Sequence, residues 1–395
     1  MFTHKERETF SMIPRRKPYF AHNAFALSKN NEVELLEKDL EKYLALPNPV
    51  VVGQGRIGLR LILQVLKIKQ GAEIIMPGYT FGALTKIIKE EGFTPIPIDI
   101  DEQTFQMSPD LVKASITSKT SAVLATHLFG EPCDINAFKK IAKKHNLFLI
   151  EDCAQSLGAK LNNKLTGTFG EIAFSSFDIS KPLQGIRGGV VFSKNRKLME
   201  TIRKIRNESK NETQIPILEL IRAMFGYFLI QTPVWFMLMF MFSYKKMQKK
   251  FVKAYRHGVD KRMPYSLPPL FAHIVRQNLP SFKRRLEKRR EIRKIYYSLL
   301  KNNLTIQKVE KGSLGSVYMV LGHINADIFK LRRYLSWHGI DIGLGNEIAD
   351  NCLRESNSNV SRVLKNSISL PIYETMIKED VERVSKVILN FISKN

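Results

Sequence analysis

INAFKKIAKKHNLFLIEDCAQSLGA, residues 135–159, decides how the chain folds. Its first half sets apolar residues at helical spacing with lysines between them, the pattern of a surface helix. Its second half is an apolar run, Leu147 to Ile150, closed by two carboxylates, Glu151 and Asp152. A helix feeding a short apolar run without polar alternation is one repeat of a buried parallel sheet.

The same unit recurs on both sides. NPVVVGQGRIGLRLILQVL (48–66) passes from a strand through a glycine-punctuated turn into an apolar helix. AEIIMPGYTFGALTKIIKEEG (72–92), PIPIDIDEQTF (95–105), TSAVLATHLFG (120–130) and AFSSF (173–177) continue the series. Strands alternating with helices predict an α/β domain with a mixed, mostly parallel sheet covered on both faces. Ligands in such sheets gather at the carboxyl ends of the strands, and the unusual residues stand there. Asp152 ends one strand, and Lys181 follows the next in FDISKPLQGIRGGVV (177–191). A carboxylate at a buried strand end needs a cationic or hydrogen-bonding partner. An aspartate and a lysine at neighbouring strand ends suit pyridoxal phosphate, the lysine forming a Schiff base and the aspartate pairing with the pyridine nitrogen. The same spacing is also that of a structural ion pair, and spacing alone leaves both readings open.

The 395 residues suffice for a large domain and a smaller one. A hydrophobic fraction of 44% excludes general disorder. Lys plus Arg number 62 against 37 Asp plus Glu, a formal charge of +25 that predicts an anionic partner. Cys133, Cys153 and Cys352 lie far apart without metal-ligand or disulfide spacing. They predict no metal site and a reducing cytosol. The polar start MFTHKERETF lacks the apolar core of an export signal.

Past residue 205 the character changes. A polar break, RKIRNESKNETQ, leads into IPILELIRAMFGYFLIQTPVWFMLMFMFSY, which is uncharged for the 22 residues from Ala223 to Tyr244. That length can cross a bilayer. QTPV in the middle, with Thr232 as N-cap and Pro233 in the first turn, instead predicts two shorter helices. Lysines follow at 245, 246, 249, 250 and 253. An apolar hairpin with a basic flank predicts association with an anionic membrane surface through residues 217–253. The charge lacks the aromatic interleaving of single-strand nucleic-acid binders, so no nucleic-acid partner is expected. A buried helix pair is the competing reading. The long basic helix PSFKRRLEKRREIRKIYYSLL and a C-terminal part of short strands and helices complete the chain. The expected organisation is a large domain at 1–205, an insertion at 206–258, and a connecting helix with a small α+β domain at 259–395.

PGYTFGAL, PIPIDIDEQTF, the block from Thr126 to Gly189, and LPIYETMIKEDVERV stand in an order that resembles the DegT/DnrJ/EryC1/StrS family of pyridoxal-phosphate-dependent sugar aminotransferases. The resemblance covers nearly the whole chain apart from the apolar insertion. It implies the aspartate-aminotransferase-like fold type I and a homodimer. It also implies transfer of nitrogen, from a glutamate-like donor, to a keto-sugar on a nucleotide or lipid carrier in surface polysaccharide or glycolipid synthesis. By the same resemblance Lys181 is the Schiff-base lysine and Asp152 the partner of the pyridine nitrogen. Gln155 lies near the phenolic oxygen, Ser176 on the phosphate, and Phe81 stacks on the ring, with Tyr79 as an alternative. Dehydrating relatives carry histidine in place of the lysine, so Lys181 favours the transferase.

Three positions depart from the family pattern. Gln54-Gly55-Arg56 replaces Ser-Gly-Thr; its backbone N–H groups at a helix start still suit a phosphate, and Arg56 could clamp it. Arg187 stands where the family has Glu, which could favour a more anionic substrate. DKRM replaces Asn-x-Arg-Met, so Asp260 is carried over only weakly as a phosphate contact from the partner subunit. The expected location is the cytoplasm, peripheral or monotopic on the inner face of the cytoplasmic membrane. A non-catalytic or regulatory membrane-associated protein on the same fold is the alternative.

Overall fold

The computed structural model describes residues 12–25, 28–209, 216–230, 232–248, 264–353 and 358–394. Its centre is a seven-stranded sheet of β1 (Val50–Val52), β2 (Glu73–Pro77), β3 (Thr94–Ile98), β4 (Thr120–Thr126), β5 (Phe148–Asp152), β6 (Ile172–Ser176) and β7 (Gly189–Phe192). The spatial order is β1-β7-β6-β5-β4-β2-β3. All neighbours are parallel except β7, which runs antiparallel to both β6 and β1. The mixed, mostly parallel sheet expected from the apolar runs is therefore present. Val50, Val51 and Val52 are all buried, as a strand covered on both faces requires.

Local chemistry sets the helix ends. Asp134 caps helix Ile135–His145 by accepting the Ala137 N–H at 3.0 Å, and Asn146 ends it in the left-handed region. The helix turns Ile135, Phe138 and Ala142 inward and its lysines outward. On the other side of the sheet, helix α1 (Gly55–Val65) packs against β6 and β7. Gly58 permits that approach, since a Cβ there would lie 3.1 Å from Phe174 Cβ and Val191 Cγ2.

The small domain holds a four-stranded antiparallel sheet of β8 (Thr305–Ile306), β9 (Val320–His323), β10 (Gly343–Leu344) and β11 (Ser367–Leu370), in the order β8-β9-β11-β10. Three helices share one apolar core with it: the C-terminal half of α4 (Phe282–Leu300), α5 (Ile328–Trp337) and α6 (Lys378–Ile392). The N-terminal segment belongs to both domains. Ile13 is buried in the small-domain core and pairs with Ile340, while the Tyr19 N–H donates to Gln184 Oε1 at 2.7 Å.

The apolar insertion forms α2 (Pro216–Leu229) and α3 (Pro233–Phe242), bent by 87° at their junction. No single described helix is long and apolar enough to cross a membrane. Pro233 occupies the first turn of α3 as the sequence predicts, but Thr232 makes no side-chain cap. Its hydroxyl donates instead to the Leu229 carbonyl at 2.7 Å, closing the end of α2. Each helix is tied to a different domain. Leu220 and Ala223 of α2 pack on the large-domain core. In α3, Phe236 and Met239 are buried, and Trp235 Nε1 donates to Asp341 at 3.1 Å. Lys249, Lys250, Lys253 and the DKRM segment with Asp260 lie outside the described residues.

Candidate active site

The carboxyl ends of β1, β4, β5 and β6 share one rim of the sheet, and the amino end of antiparallel β7 joins them through the register Val52↔Gly189↔Ser176. Gly55 starts α1 directly above this rim. A Cβ on Gly55 would sit 3.0 Å from Ser176 Cβ, and one on Gly189 would sit 2.6 Å from the Gly55 nitrogen. Gly189 leaves no room for a Cβ and Gly55 only a tight fit, which lets the helix tip rest on the strand ends. The Gln54 side chain makes no cap bond, so the backbone N–H groups of the first turn keep their capacity for an anion. Ser176 Oγ accepts the Asp178 N–H at 3.3 Å and is half-buried beside that tip.

Asp152 ends β5 and is buried. Burial lifts its carboxyl above the ordinary value; the Ala154 N–H and the charges of Lys181 and His127 oppose this without cancelling it. Oδ1 accepts that N–H at 2.9 Å. A buried carboxyl with this bias gains from a further cation, which is what a protonated pyridine nitrogen supplies. Gln155, three residues on, accepts the Phe129 N–H on Oε1 at 2.6 Å, which turns its amide N–H groups the other way. Phe129 holds a left-handed backbone (φ 62°) and Gly130 follows at φ 89°. This strained corner brings the 128–130 turn against both Gln155 and Ser316, whose hydroxyl donates to the Gln155 carbonyl at 2.7 Å.

Behind Asp152, Glu151 is wholly buried and accepts the N–H groups of Gly167, Phe169 and Gly170, each at 2.7 Å, and His127 Nε2 at 3.1 Å. Burial alone would raise this carboxyl. The hydrogen bonds from His127, Gly170 and Gly167 outweigh it and hold the group below its ordinary value. His127 Nδ1 accepts the Cys133 N–H at 3.1 Å, which leaves Nε2 as the donor to Glu151. His127, Glu151 and Cys153 are close enough to share a metal ion, but the hydrogen bonds above already occupy the histidine and carboxylate donors.

Lys181 lies in the turn after β6, its N–H bonded to the Asp178 carbonyl at 2.9 Å. Its Nζ stands 4.9 Å from the ring centroid of Tyr318. Tyr318 comes from the small domain, 137 positions away, and nothing in SVYMVLGHI distinguishes it in sequence. Its hydroxyl receives an N–H from Arg16 at 2.9 Å and lies 3.2 Å from Ser180 Oγ. Burial would raise this phenol, but Arg16 and Lys181 outweigh burial and bring it down to about 8.

Phe81 and Tyr79 separate cleanly. Tyr79 is fully buried, its hydroxyl on the Gly345 carbonyl at 3.3 Å, so the alternative stacking role for Tyr79 is corrected: this ring is core. Phe81 is 38% exposed, with the Arg56 guanidinium 5.8 Å from its ring centroid. Arg56 Nη2 donates to Gln54 Oε1 at 2.8 Å, so both side chains stand at the entrance of α1. Arg187 faces a carboxylate of its own chain: its Nε lies 3.0 Å from Glu219 Oε2 of α2, an ion pair without hydrogen-bond alignment. The charge reversal at Arg187 is thus matched inside the chain by the insertion.

A lysine and a buried aspartate stand on one sheet rim, under a glycine-tipped helix and a tyrosine from a second domain, in a fold of type I. Solved structures agree on the fold. An aminotransferase of pseudoaminic acid biosynthesis from Helicobacter pylori superposes with a TM-score of 0.77 over 97% of this chain and 100% of its own, at 16% identity. A DegT DnrJ EryC1 StrS aminotransferase from Brucella abortus gives 0.74 over 93% and 91%, at 21% identity. The chain belongs to the DegT/DnrJ/EryC1/StrS aminotransferase family, whose model matches residues 20–389. The family is one of pyridoxal-phosphate-dependent aminotransferases. Among curated relatives, the GDP-perosamine synthase of Escherichia coli O157:H7 is 38% identical over 173 residues, 44% of this chain and 48% of that one. The UDP-2-acetamido-2-deoxy-3-oxo-D-glucuronate aminotransferase of Pseudomonas aeruginosa is 33% identical over 175 residues, 44% and 49%. The chain thus spans about half the length of the curated relatives it matches.

Proposed function

We propose that this chain is a pyridoxal-phosphate-dependent aminotransferase moving nitrogen from a glutamate-like donor to a keto-sugar on a nucleotide or lipid carrier. The pairing of Lys181 with a burial-raised Asp152 on one rim carries this reading. Asp152 would hold the pyridine nitrogen, the Gly55 N–H end of α1 and Ser176 the phosphate, Gln155 the phenolic oxygen, and Phe81 one ring face. Arg56, beside Phe81, adds a cation at the phosphate end. The cofactor, when bound, supplies the electron sink that makes the donor's α-hydrogen acidic. Lys181 Nζ takes the proton from the donor's α-carbon and, in the return half-reaction, gives a proton to the sugar carbon that receives the nitrogen. Tyr318, held by Arg16, faces Lys181 from the small-domain side.

The nucleotide-sugar names of the relatives support a place in surface polysaccharide or glycolipid synthesis. The exposed apolar faces of α2 and α3, followed by the exposed Lys245 and Lys246, support attachment to the inner face of the cytoplasmic membrane, without a crossing. Family precedent supports a homodimer.

The test is the visible spectrum of the purified chain with pyridoxal phosphate, before and after L-glutamate, beside Lys181→Ala. The expected result is the band of lysine-bound cofactor in the wild type, bleached by glutamate and missing from the variant. No band in the wild type would overturn the enzyme reading and leave a non-catalytic protein on this fold.

A further inference from the structure

The concavity between α3 and the small domain is separate from the rim described above. It is an open groove of about 560 Å³ lined by Lys330, Arg333 and Lys394, with Phe240, Tyr244 and Trp337 among its aromatic walls. Building on the membrane attachment just proposed, we infer that this cavity binds the phosphate headgroup of an anionic membrane phospholipid, whose acyl chains lie along the apolar faces of α2 and α3.

Charge is the first argument. On α5, adjacent arginines take opposite fates. Arg332 points inward and is ion-paired to Glu347, with Asp341 at 3.9 Å. Arg333 points into the cavity, donates to the Ser243 carbonyl at 3.3 Å, and stands over the Tyr244 ring at 5.1 Å. Lys330, three residues earlier, shares its face. Among the described residues no carboxylate lies within ion-pair distance of Lys330, Arg333 or Lys394, and no Asp or Glu lines the cavity. Three cations at one concavity, with no carboxylate partner among the described residues, suit a phosphate.

Position is the second argument. The cavity wall passes directly into the apolar helices, whose outward side chains include Phe225 (67% exposed), Phe228, Met237 and Met241. Trp337 stands at that boundary, 81% exposed, its ring 6.4 Å from Phe240. An indole between an apolar face and a basic pocket has the setting tryptophan takes at a membrane–water interface. Exposed Lys245 and Lys246 extend the basic rim at the end of α3. A second copy of this chain is the poorer occupant, because it would bring its own share of a +25 charge against the same cations.

The experiment is co-sedimentation of the full, cofactor-loaded chain with two kinds of vesicle: phosphatidylcholine alone, and an equimolar mixture with phosphatidylglycerol. The pocket triple Lys330→Gln/Arg333→Gln/Lys394→Gln is compared with the control triple Lys139→Gln/Lys140→Gln/Lys143→Gln, which removes equal charge from an exposed helix of the large domain. The wild type is expected to prefer the mixed vesicles. The pocket triple should bind them about a hundredfold more weakly, the control triple nearly as the wild type. Tryptophan emission should be quenched by brominated phosphatidylglycerol, and the quenching reduced in Trp337→Phe to the share of Trp235. Equal losses in the two triples, or none in the pocket triple, would overturn the headgroup site while leaving membrane attachment standing. A wild type that binds neither vesicle would overturn the attachment and the site with it. A face covered by a second copy would appear as a dimer that Phe225→Ser/Phe228→Ser dissociates in sedimentation equilibrium, and would also overturn the site. Retention of the visible cofactor band checks that each variant is folded.

Discussion

Replacing Arg16 by methionine should move the ionisation of Tyr318 and, with it, the pH dependence of stability. Tyr318 is 5% exposed, and burial by itself pushes its phenol up. Arg16, bonded to the hydroxyl at 2.9 Å and 4.5 Å from the ring centroid, is the largest opposing influence, followed by Lys181. Together they bring the group to about 8, against 10 in the unfolded chain. Between these values the unfolded chain binds more protons, so stability rises with pH. The contribution, about 3 kcal/mol for a shift of this size, is fully present above the unfolded value and lost as pH falls through the folded one. The assay is tyrosinate difference absorption of the cofactor-free chain, with urea unfolding across the same pH range. Tyr43, Tyr79, Tyr296 and Tyr373 are pushed upward by burial, Tyr43 to about 12, so they leave the region near 8 clear. One tyrosine should titrate early, disappear in Tyr318→Phe, and move upward in Arg16→Met, where burial meets only Lys181 and the Ser180 hydrogen bond. An early titration that survives Tyr318→Phe, or an unmoved one in Arg16→Met, would refute the assignment.

Gly189→Ala would place a methyl group 2.6 Å from the Gly55 nitrogen and 2.7 Å from the Ser175 carbonyl. It should cost about 1–3 kcal/mol in urea unfolding and weaken pyridoxal phosphate at least about tenfold, since backbone must move. Asp152→Asn should retain cofactor binding yet slow the glutamate half-reaction at least about a hundredfold in stopped-flow absorption; an unchanged rate removes Asp152 from the chemistry. Glu219→Gln leaves the largely buried Arg187 without its carboxylate. Because Glu219 is partly exposed, a double-mutant cycle with Arg187→Met should give a coupling of only about 1 kcal/mol in thermal unfolding, and zero coupling would make the pair incidental.

The sheet was legible because unbroken apolar runs such as VVV and LFLI have no other stable use than burial on both faces. Strand ends are legible for the same reason: a carboxylate after such a run marks where the core stops, and Asp152 is found there. The partners that complete the rim were not. Tyr318 meets Lys181 from the small domain and Arg16 meets Tyr318 from the N-terminal segment, and tertiary packing of that kind leaves no periodic trace in GSVYMVLGHI or RRKPYF. The resemblance favours Phe81 over Tyr79 as the stacking ring, and residue type alone does not show why. The short strand Tyr79–Thr80 pairs with Asp350–Asn351 and buries Tyr79 completely, and only that pairing decides which ring remains available. Arg187 read as a bare charge reversal because Glu219 lies beyond a polar break and on a helix whose direction the sequence does not supply. Thr232 had the right residue type for a cap, but its hydroxyl satisfies a carbonyl of the preceding helix instead.

The two insertion helices are tied to different domains, and this bears on how the chain could meet a membrane. Glu219 of α2 reaches Arg187, six residues beyond Lys181, and Tyr227 packs edge-on to Phe20 at 5.9 Å. In α3, Trp235 bonds Asp341, whose N–H donates to the Ile13 carbonyl at 3.0 Å, three residues before Arg16. A bilayer between α2 and α3 would have to part the two domains that supply Lys181 and Tyr318 to one another. The 87° bend makes the pair a bracket across the domains rather than a rod between compartments. On the membrane reading, the whole rim therefore stays on the face where the helices lie. Contiguity of this kind is not by itself energetic coupling, but it sets a geometric requirement: any substitution that frees α3 from Asp341, Trp235→Phe first, should loosen the small domain over Lys181 before it alters the large-domain sheet. Hydrogen exchange would register this as faster exchange in β9 with β5 and β6 unchanged, whereas equal acceleration in both sheets would mean that the bracket holds nothing in place.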